Sequence, residues 1–362
     1  MIASGDAVTL AMHIPDNYLS PSTGLMFFVI MIPVWGLCLK YVMTHANHER
    51  MAYLGAGAAF SFLIMMFNVP CPGGTTAHAV GGSLIAILLG PQYATIAVSV
   101  ALLLQALLFG DGGLITFGAN CFNMAFVLPF VAYGLYAALR KVLAAGWRER
   151  AATFIGAYVG ITMAALCVAL ELGVQPALFR DAAGQALYFP YPVTVSVPAV
   201  LIPHLLMASI IEGLVTVVVV EFVRRTAPEI VADSARVDDG AGRGEAKGLK
   251  GLRTPVWIGL GLLAVLSPIG LLATGTAYGE WGAEEFKAET GLSYVPERIA
   301  HGFSWNALLP DYSMQGLPDW VGYILCAVIG VAVTTIVFRL LAMGVRGGSG
   351  SQGVAAAKTA KA

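Results

Sequence analysis

Six histidines are spread through a chain of 362 residues, few enough that each can be weighed by its neighbours. His13 lies in Met12-His13-Ile14-Pro15-Asp16-Asn17-Tyr18-Leu19-Ser20 and His78 in Pro72-Gly73-Gly74-Thr75-Thr76-Ala77-His78-Ala79-Val80-Gly81-Gly82, both beside turn-forming residues. Neutral imidazole is the usual ligand of nickel, cobalt, copper and zinc. The chemistry these two suggest is therefore metal binding, although each histidine taken alone reads first as structural. His204 stands eight positions before Glu212 in one long apolar run, and on a helix that spacing leaves the two about 80° apart, on one broad face. Ionisable groups inside a span face the interior, pair, or mark a pathway. Three readings stay open for this pair: a polar core that fixes packing or couples motion, a direct metal contact, and an intramembrane acid–base pair. His45 and His48, beside Glu49 and Arg50, read as solvated loop residues, and His301 as an exposed side chain on an acidic loop.

A second constellation is the run Gly110-Asp111-Gly112-Gly113, followed by Gly118-Ala119-Asn120-Cys121-Phe122-Asn123. Glycines let backbone approach closely. Asn120 and Asn123 suit hydrogen bonding to the backbone around a metal loop, or holding the ring of a ligating histidine, as metal sites require. Capping at the entrance of a span is the competing use of such an Asn. Gln105 and Asp111 belong to the same group. The Gly156–Gly160 spacing makes a face suited to close helix contact, read first as packing within the chain.

These residues need a scaffold, and the composition says which. Hydrophobic residues make up 58% of the chain and charged residues only 11%, where a soluble domain carries about 25% charged. The expectation is an all-α polytopic membrane protein. Because a span needs about 20 mostly apolar residues, the chain divides into nine candidates: 24–41, 51–66, 77–89, 94–109, 121–139, 151–170, 195–223, 255–273 and 320–338. The third and fourth are short, separated by Gly90-Pro91-Gln92, and the stretch Pro70–Gly74 suggests entry as loop rather than helix. Irregular backbone at membrane depth is tolerated only where protein or a cavity satisfies it, which nominates this stretch for function. With the N-terminus outside, seventeen Lys and Arg fall in inner loops and three (Arg180, Lys287, Arg298) in outer ones, so the C-terminus is expected in the cytoplasm.

Charge and motifs exclude several classes. The net charge of −1 gives no reason to expect nucleic acid as a partner. The five cysteines form no C-x-x-C pair, which argues against structural zinc or a disulfide framework. No G-x-x-x-x-G-K-[ST] occurs, so nucleotide is not cradled by a P-loop here and any ATP-driven step requires other subunits. H-E-x-x-H and G-x-S-x-G are also missing. Residues 226–253 read as a flexible cytoplasmic linker, 254–341 as a two-helix segment with an acidic outer loop over Thr274–Asp319, and 342–362 as a disordered tail.

The segments MHIPDNYLS, PGGTTAHAVGG and LLLQALLFGDGGLITFGANCFNMAF resemble the NikM/CbiM family, the substrate-binding membrane components of nickel and cobalt energy-coupling-factor transporters. The likeness covers about residues 12–225. SPIGLLATGTAYGEWG and LLPDYS resemble the small NikN/CbiN partner, here fused C-terminally. The resemblance implies a seven-helix binding core plus a two-helix hairpin, in a bacterial-type cell membrane. It also implies external Ni(II) or Co(II) as transported substrate, nickel favoured, with a membrane coupling subunit and cytoplasmic ATP-binding subunits as partners. The fused hairpin would assist metal loading, its acidic loop raising the local cation concentration. The family's metal is held by a free terminal amine, the next residue's amide nitrogen and imidazole, and a distant histidine, which map onto Met12, His13 and His78. Such a planar nitrogen set favours Ni(II) or Cu(II). Eleven residues precede Met12, a departure from the family pattern, and the expectation is that translation begins at Met12. If Met1 is retained, the terminal amine is lost and the search widens to oxygens such as those of Asp16 and Asp111.

Overall fold

The structure, a computed structural model, describes residues 13–71, 75–143, 146–226, 249–273 and 277–344. The expected extension 1–11, Met12, most of the linker and nearly all of the tail lie outside the described residues.

Helices begin where the sequence supplies a cap. The Ser20 hydroxyl accepts the Thr23 N–H and Pro21 occupies the first turn of α1, Pro21–His45. Asn47 accepts the Arg50 N–H at 2.7 Å and opens α2, His48–Met65. A short antiparallel hairpin follows, β1 Val69–Cys71 against β2 Thr75–Ala77, with Pro70 opposite Thr76. Helix α3, Gly82–Leu89, is only eight residues long, about 12 Å at 1.5 Å per residue, and stops at Gly90 with φ +111°. The expected third span is thus a loop, a hairpin and a half-length helix, as the Pro-Gly stretch before it foretells.

The remaining elements are α4 Pro91–Phe109, α5 Phe117–Arg140, α6 Trp147–Leu178, α7 Val193–Arg225, α8 Thr254–Leu272, the short α9 Phe286–Thr290 and α10 Glu297–His301, and α11 Asp319–Gly344. Among the described residues seven helices, α1, α4 to α8 and α11, are long and apolar enough to cross a membrane. Each matches one of the nine expected spans. Of the other two, α2 is 18 residues long and diluted at its start by His48-Glu49-Arg50, and α3 is too short.

Three of the long helices contain a π-helical turn, at Gln105–Phe109, Cys121–Val127 and His204–Ala208. Such turns insert one extra residue and are frequent at functional sites. Here they begin at, or carry, Gln105, Asn123 and His204.

The main core joins α2, α4, α5 and α11 around Phe62, Phe109, Tyr312 and Tyr323. Gly330 faces the Phe62 ring so closely that a Cβ would overlap it. Gly156 and Gly160 sit against the backbone of Leu128 and Ala132 and against Tyr136 in α5, so that face serves packing within the chain. A smaller outer cluster gathers Ile14, Tyr18, Leu172, Phe189, Trp281 and Phe286 from three separate stretches of chain. It is this cluster that sets the first described residues against the C-terminal segment.

Candidate metal centre

The segment carrying His13 is fixed from beneath by the loop and helix start at 111–120. The Ile14 N–H donates to Asn120 Oδ1 at 2.9 Å, and the Ile14 carbonyl accepts from Asn120 Nδ2 at 3.0 Å, Thr116 Oγ1 at 2.6 Å and the Gly113 N–H at 3.2 Å. The Asp16 carboxylate accepts the N–H groups of Leu114 and Ile115 at 3.0 and 2.8 Å. Gly113 has no room for a side chain, because a Cβ would collide with Asp16 and Thr116. Gly112, at φ +86°, passes under His13.

His13 is 1% exposed, and its Nδ1 lies 2.5 Å from Asp111 Oδ1. The other carboxylate oxygen of Asp111 accepts the Tyr312 hydroxyl at 2.5 Å and Gln105 Nε2 at 3.2 Å; Gln105 also donates to the Tyr312 oxygen at 3.0 Å. Burial pushes the Asp111 carboxyl up, but the His13 charge and hydrogen bond, with the Tyr312 hydroxyl, outweigh it and hold the group below its ordinary value. Tyr312 reaches this position because Asp311 and Tyr312 adopt left-handed backbone, φ +53° and +55°. That conformation is costly for residues with side chains and persists only where surroundings enforce it. Stacking of the Tyr312 ring on Phe109, 4.7 Å between centroids, is part of that enforcement.

His78 follows β2 and is 3% exposed. Its Nδ1 donates to the Ala79 carbonyl at 3.0 Å, leaving Nε2 as the nitrogen with a free lone pair. The next turn is held from α7, where Glu212 accepts the N–H groups of Val80 and Gly81 at 2.9 Å each and of Ser83 at 3.3 Å. An anionic carboxylate is well matched to the free N–H groups at the start of a helix. Glu212 therefore shapes the loop that presents His78.

The His13 and His78 rings face each other at 5.2 Å between centroids, and Nε2 of each is buried without a hydrogen-bond partner. Buried polar atoms are nearly always paired, and each unpaired one costs about 1–3 kcal/mol. Two unpaired imidazole nitrogens side by side are donors of the type that binds divalent transition metals. Among the described residues no group of three or more His, Cys, Asp or Glu side chains is arranged to hold an ion, so two imidazoles would need donors of another kind, such as amide or amine nitrogen. A chelate through the His13 amide closes as a six-membered ring only at Nδ1, whereas here Nδ1 faces Asp111. Binding through Nδ1 would therefore require the ring to leave Asp111 and reorient about its side-chain bonds.

Two expectations need correcting. His204 and Glu212 do not form a pair: His204 Nδ1 donates to the Val200 carbonyl at 2.8 Å, while Glu212 is spent on the loop after His78. The π turn that starts at His204 adds a residue to the helical repeat and breaks the 80° relation of a regular helix. Asn123 holds neither the metal loop nor a histidine; its Nδ2 donates to Glu171 of α6 at 2.9 Å. Asn120, Asp111 and Gln105 do lie around His13. The sequence reading missed Tyr312, whose only signal was its place in LLPDYS, and Thr116. It placed Glu280 in the acidic outer loop without a role of its own, and that side chain is 8% exposed, its carboxyl pushed well up by burial and by Asp111.

Residues 13–230 match the family model for CbiM, the cobalt uptake substrate-specific transmembrane region, and residues 254–347 match the PDGLE domain. The chain is 45% identical to the probable fused nickel transport protein LarMN of Lactiplantibacillus plantarum, covering 91% of this chain and 97% of that one. It is 44% identical to the fused nickel transport protein NikMN of Rhodobacter capsulatus, covering 89% and 94%. A crystal structure titled as a truncated transition metal transporter superposes with a TM-score of 0.56 at 47% identity, over 59% of this chain and 99% of the other. The chain belongs to the CbiM family and carries a PDGLE domain fused behind its CbiM region.

Proposed function

We propose that this chain is the substrate-binding membrane component of an ATP-driven uptake system and that it captures external Ni(II). The observation that carries the reading is the pair of buried imidazoles of His13 and His78, 5.2 Å apart between centroids and with the His78 Nε2 unpartnered, held between Asp111 and the Glu212-braced loop. Met12 would supply the terminal amine and His13 its amide nitrogen and imidazole, once the chain begins at Met12; His78 would complete the square. Four nitrogens in a plane suit Ni(II), and relatives named for nickel match along nearly the whole chain. Cobalt uptake is the second reading, favoured by the description of the family model. ATP hydrolysis belongs to cytoplasmic partner subunits, joined through a membrane coupling subunit. The metal site lies on the outer side, and the C-terminus in the cytoplasm.

The test is intact-mass spectrometry and metal analysis of the protein purified from its native host, followed by Ni(II) and Co(II) titration of His13→Ala and His78→Ala. A chain starting at Met12, one tightly held Ni(II), and loss of that ion in both variants are expected. Unchanged binding in both variants would overturn the assignment.

A further inference from the structure

We propose a second divalent-cation site beside the first, in which Glu280 of the fused C-terminal segment and His204 of α7 hold an ion on its way to or from His78. The inference rests on reading His13 and His78 as metal ligands and goes beyond it in adding new donors. A cavity of about 60 Å³ adjoins His78, lined on its polar side by Thr75, Thr76, His78, His204, Tyr278 and Glu280. A water needs roughly 10–15 Å³ of such space, so the cavity has room for an ion with part of its hydration shell.

The polar lining is unusual in what it lacks. Glu280 Oε2, His78 Nε2, Thr76 Oγ1 and the Tyr278 hydroxyl are all buried without a hydrogen-bond partner, and all four residues border this one cavity. No Lys or Arg lines it to neutralise the carboxylate. His204 commits Nδ1 to the Val200 carbonyl, so its lone pair is on Nε2. A carboxylate oxygen, an imidazole nitrogen and hydroxyl oxygens together make a donor set for a borderline divalent cation, and burying the carboxylate without such a partner is costly.

Glu280 is held in place from two sides. The Tyr278 N–H donates to Thr75 Oγ1 at 2.9 Å in β2, and the Trp281 carbonyl accepts the Tyr18 hydroxyl at 2.6 Å. Gly279 between them is at φ +90°, a turn open to glycine. The carboxylate is thus fixed by the hairpin that precedes His78 and by the segment that follows His13. An ion bound by Glu280 and His204 is one ligand exchange from His78, which borders the same cavity.

The experiment is equilibrium dialysis of the purified, chelator-stripped full chain against Co(II) and against Ni(II), with metal analysis and, for Co(II), the visible absorption spectrum. Two ions per chain at saturation are expected, the second at least tenfold weaker. Glu280→Gln and His204→Gln should each lose the second ion and keep the first, while Glu280→Asp restores it in part. His13→Ala should lose the first ion and keep the second. One ion at saturation in the unmodified chain overturns the proposal whether or not the variants fold, and so does a second ion that persists in both Gln variants. If His13→Ala and His78→Ala keep the tight ion, the primary assignment fails instead, and the Glu280 and His204 variants still decide whether this cavity binds.

Discussion

Asp111→Asn removes one negative charge and turns one accepting oxygen into a donor at nearly unchanged volume, which makes it a direct probe of the His13 site. In the structure Asp111 accepts from the His13 ring at 2.5 Å and from Tyr312 and Gln105 through its other oxygen. When an ion binds one ring nitrogen, the other carries a proton that this carboxylate accepts, fixing tautomer and orientation and raising the ligand's basicity. A hydrogen bond to a charged group contributes about 1.5–3 kcal/mol. At 1.4 kcal/mol per tenfold, its loss should weaken Ni(II) binding about 10- to 100-fold, the range seen when such supporting groups are removed elsewhere. The assay is competition against a chelator of known affinity on purified full-length chain, with thermal unfolding followed in parallel. Asn has nearly the volume of Asp and still accepts one bond, so the fold should survive. A folded Asp111→Asn protein that binds Ni(II) within twofold of the parent would refute the argument, because the carboxylate would then not be supporting a ligand.

Tyr312→Phe deletes one of the three bonds to Asp111 while keeping the ring on Phe109; Ni(II) affinity should fall about 3- to 10-fold, given about 1 kcal/mol for a typical hydrogen bond, with little change in melting temperature. Glu212→Gln replaces one accepting oxygen by a donor facing N–H groups, so the turn after His78 should loosen, costing about 2–4 kcal/mol of stability and lowering metal affinity, as chemical denaturation and dialysis would report. Gly113→Ala drives a Cβ into Asp16 and Thr116 and should cost about 1–3 kcal/mol, with weaker Ni(II) binding. A Gly113→Ala protein as stable as the parent would mean that this loop yields more readily than its geometry indicates.

Much of the scaffold was legible because membrane spans announce themselves through apolar length: each of the seven long helices coincides with an expected span. The failure at residues 77–89 was one of length, since an apolar run reads alike whether it crosses or half-crosses, and only Pro72-Gly73-Gly74 hinted at the hairpin. His13 and His78, each reading first as structural when taken alone, stood out through their turn-forming neighbours and the family resemblance, and Asp111, Gln105 and Asn120 through their closeness to glycine turns. Glu212 was singled out for the wrong partner. Helical spacing assumes 3.6 residues per turn, and a π turn at His204 defeats it. Tyr312 and Glu280 were beyond reach for another reason. Tyr312 meets Asp111 across 201 residues and the turn carrying Glu280 is tied to Thr75 across 203, and no local pattern encodes a contact made by packing one segment across another.

That packing gives the fused segment a physical role at the site. Asn17, at φ +73°, donates through Nδ2 to the Phe303 carbonyl and accepts the Phe303 N–H through Oδ1, both at 2.8 Å. Gly302 leaves room for that approach, since a Cβ there would strike the Asn17 amide. With Tyr18 bonded to the Trp281 carbonyl and Tyr312 to Asp111, the stretch after His13 is gripped on one side by 111–120 and on the other by the C-terminal segment. Asn17→Ala cuts only the outer grip and touches no proposed ligand. It should speed Ni(II) association and dissociation together while changing the equilibrium affinity less than threefold, since the donors and their support by Asp111 and Glu212 are untouched. Stopped-flow mixing with an absorbing chelator measures both rates. If both rates are unchanged, the grip is packing alone and does not gate the metal. If only dissociation rises and affinity falls tenfold or more, Asn17 is part of what shapes the site itself.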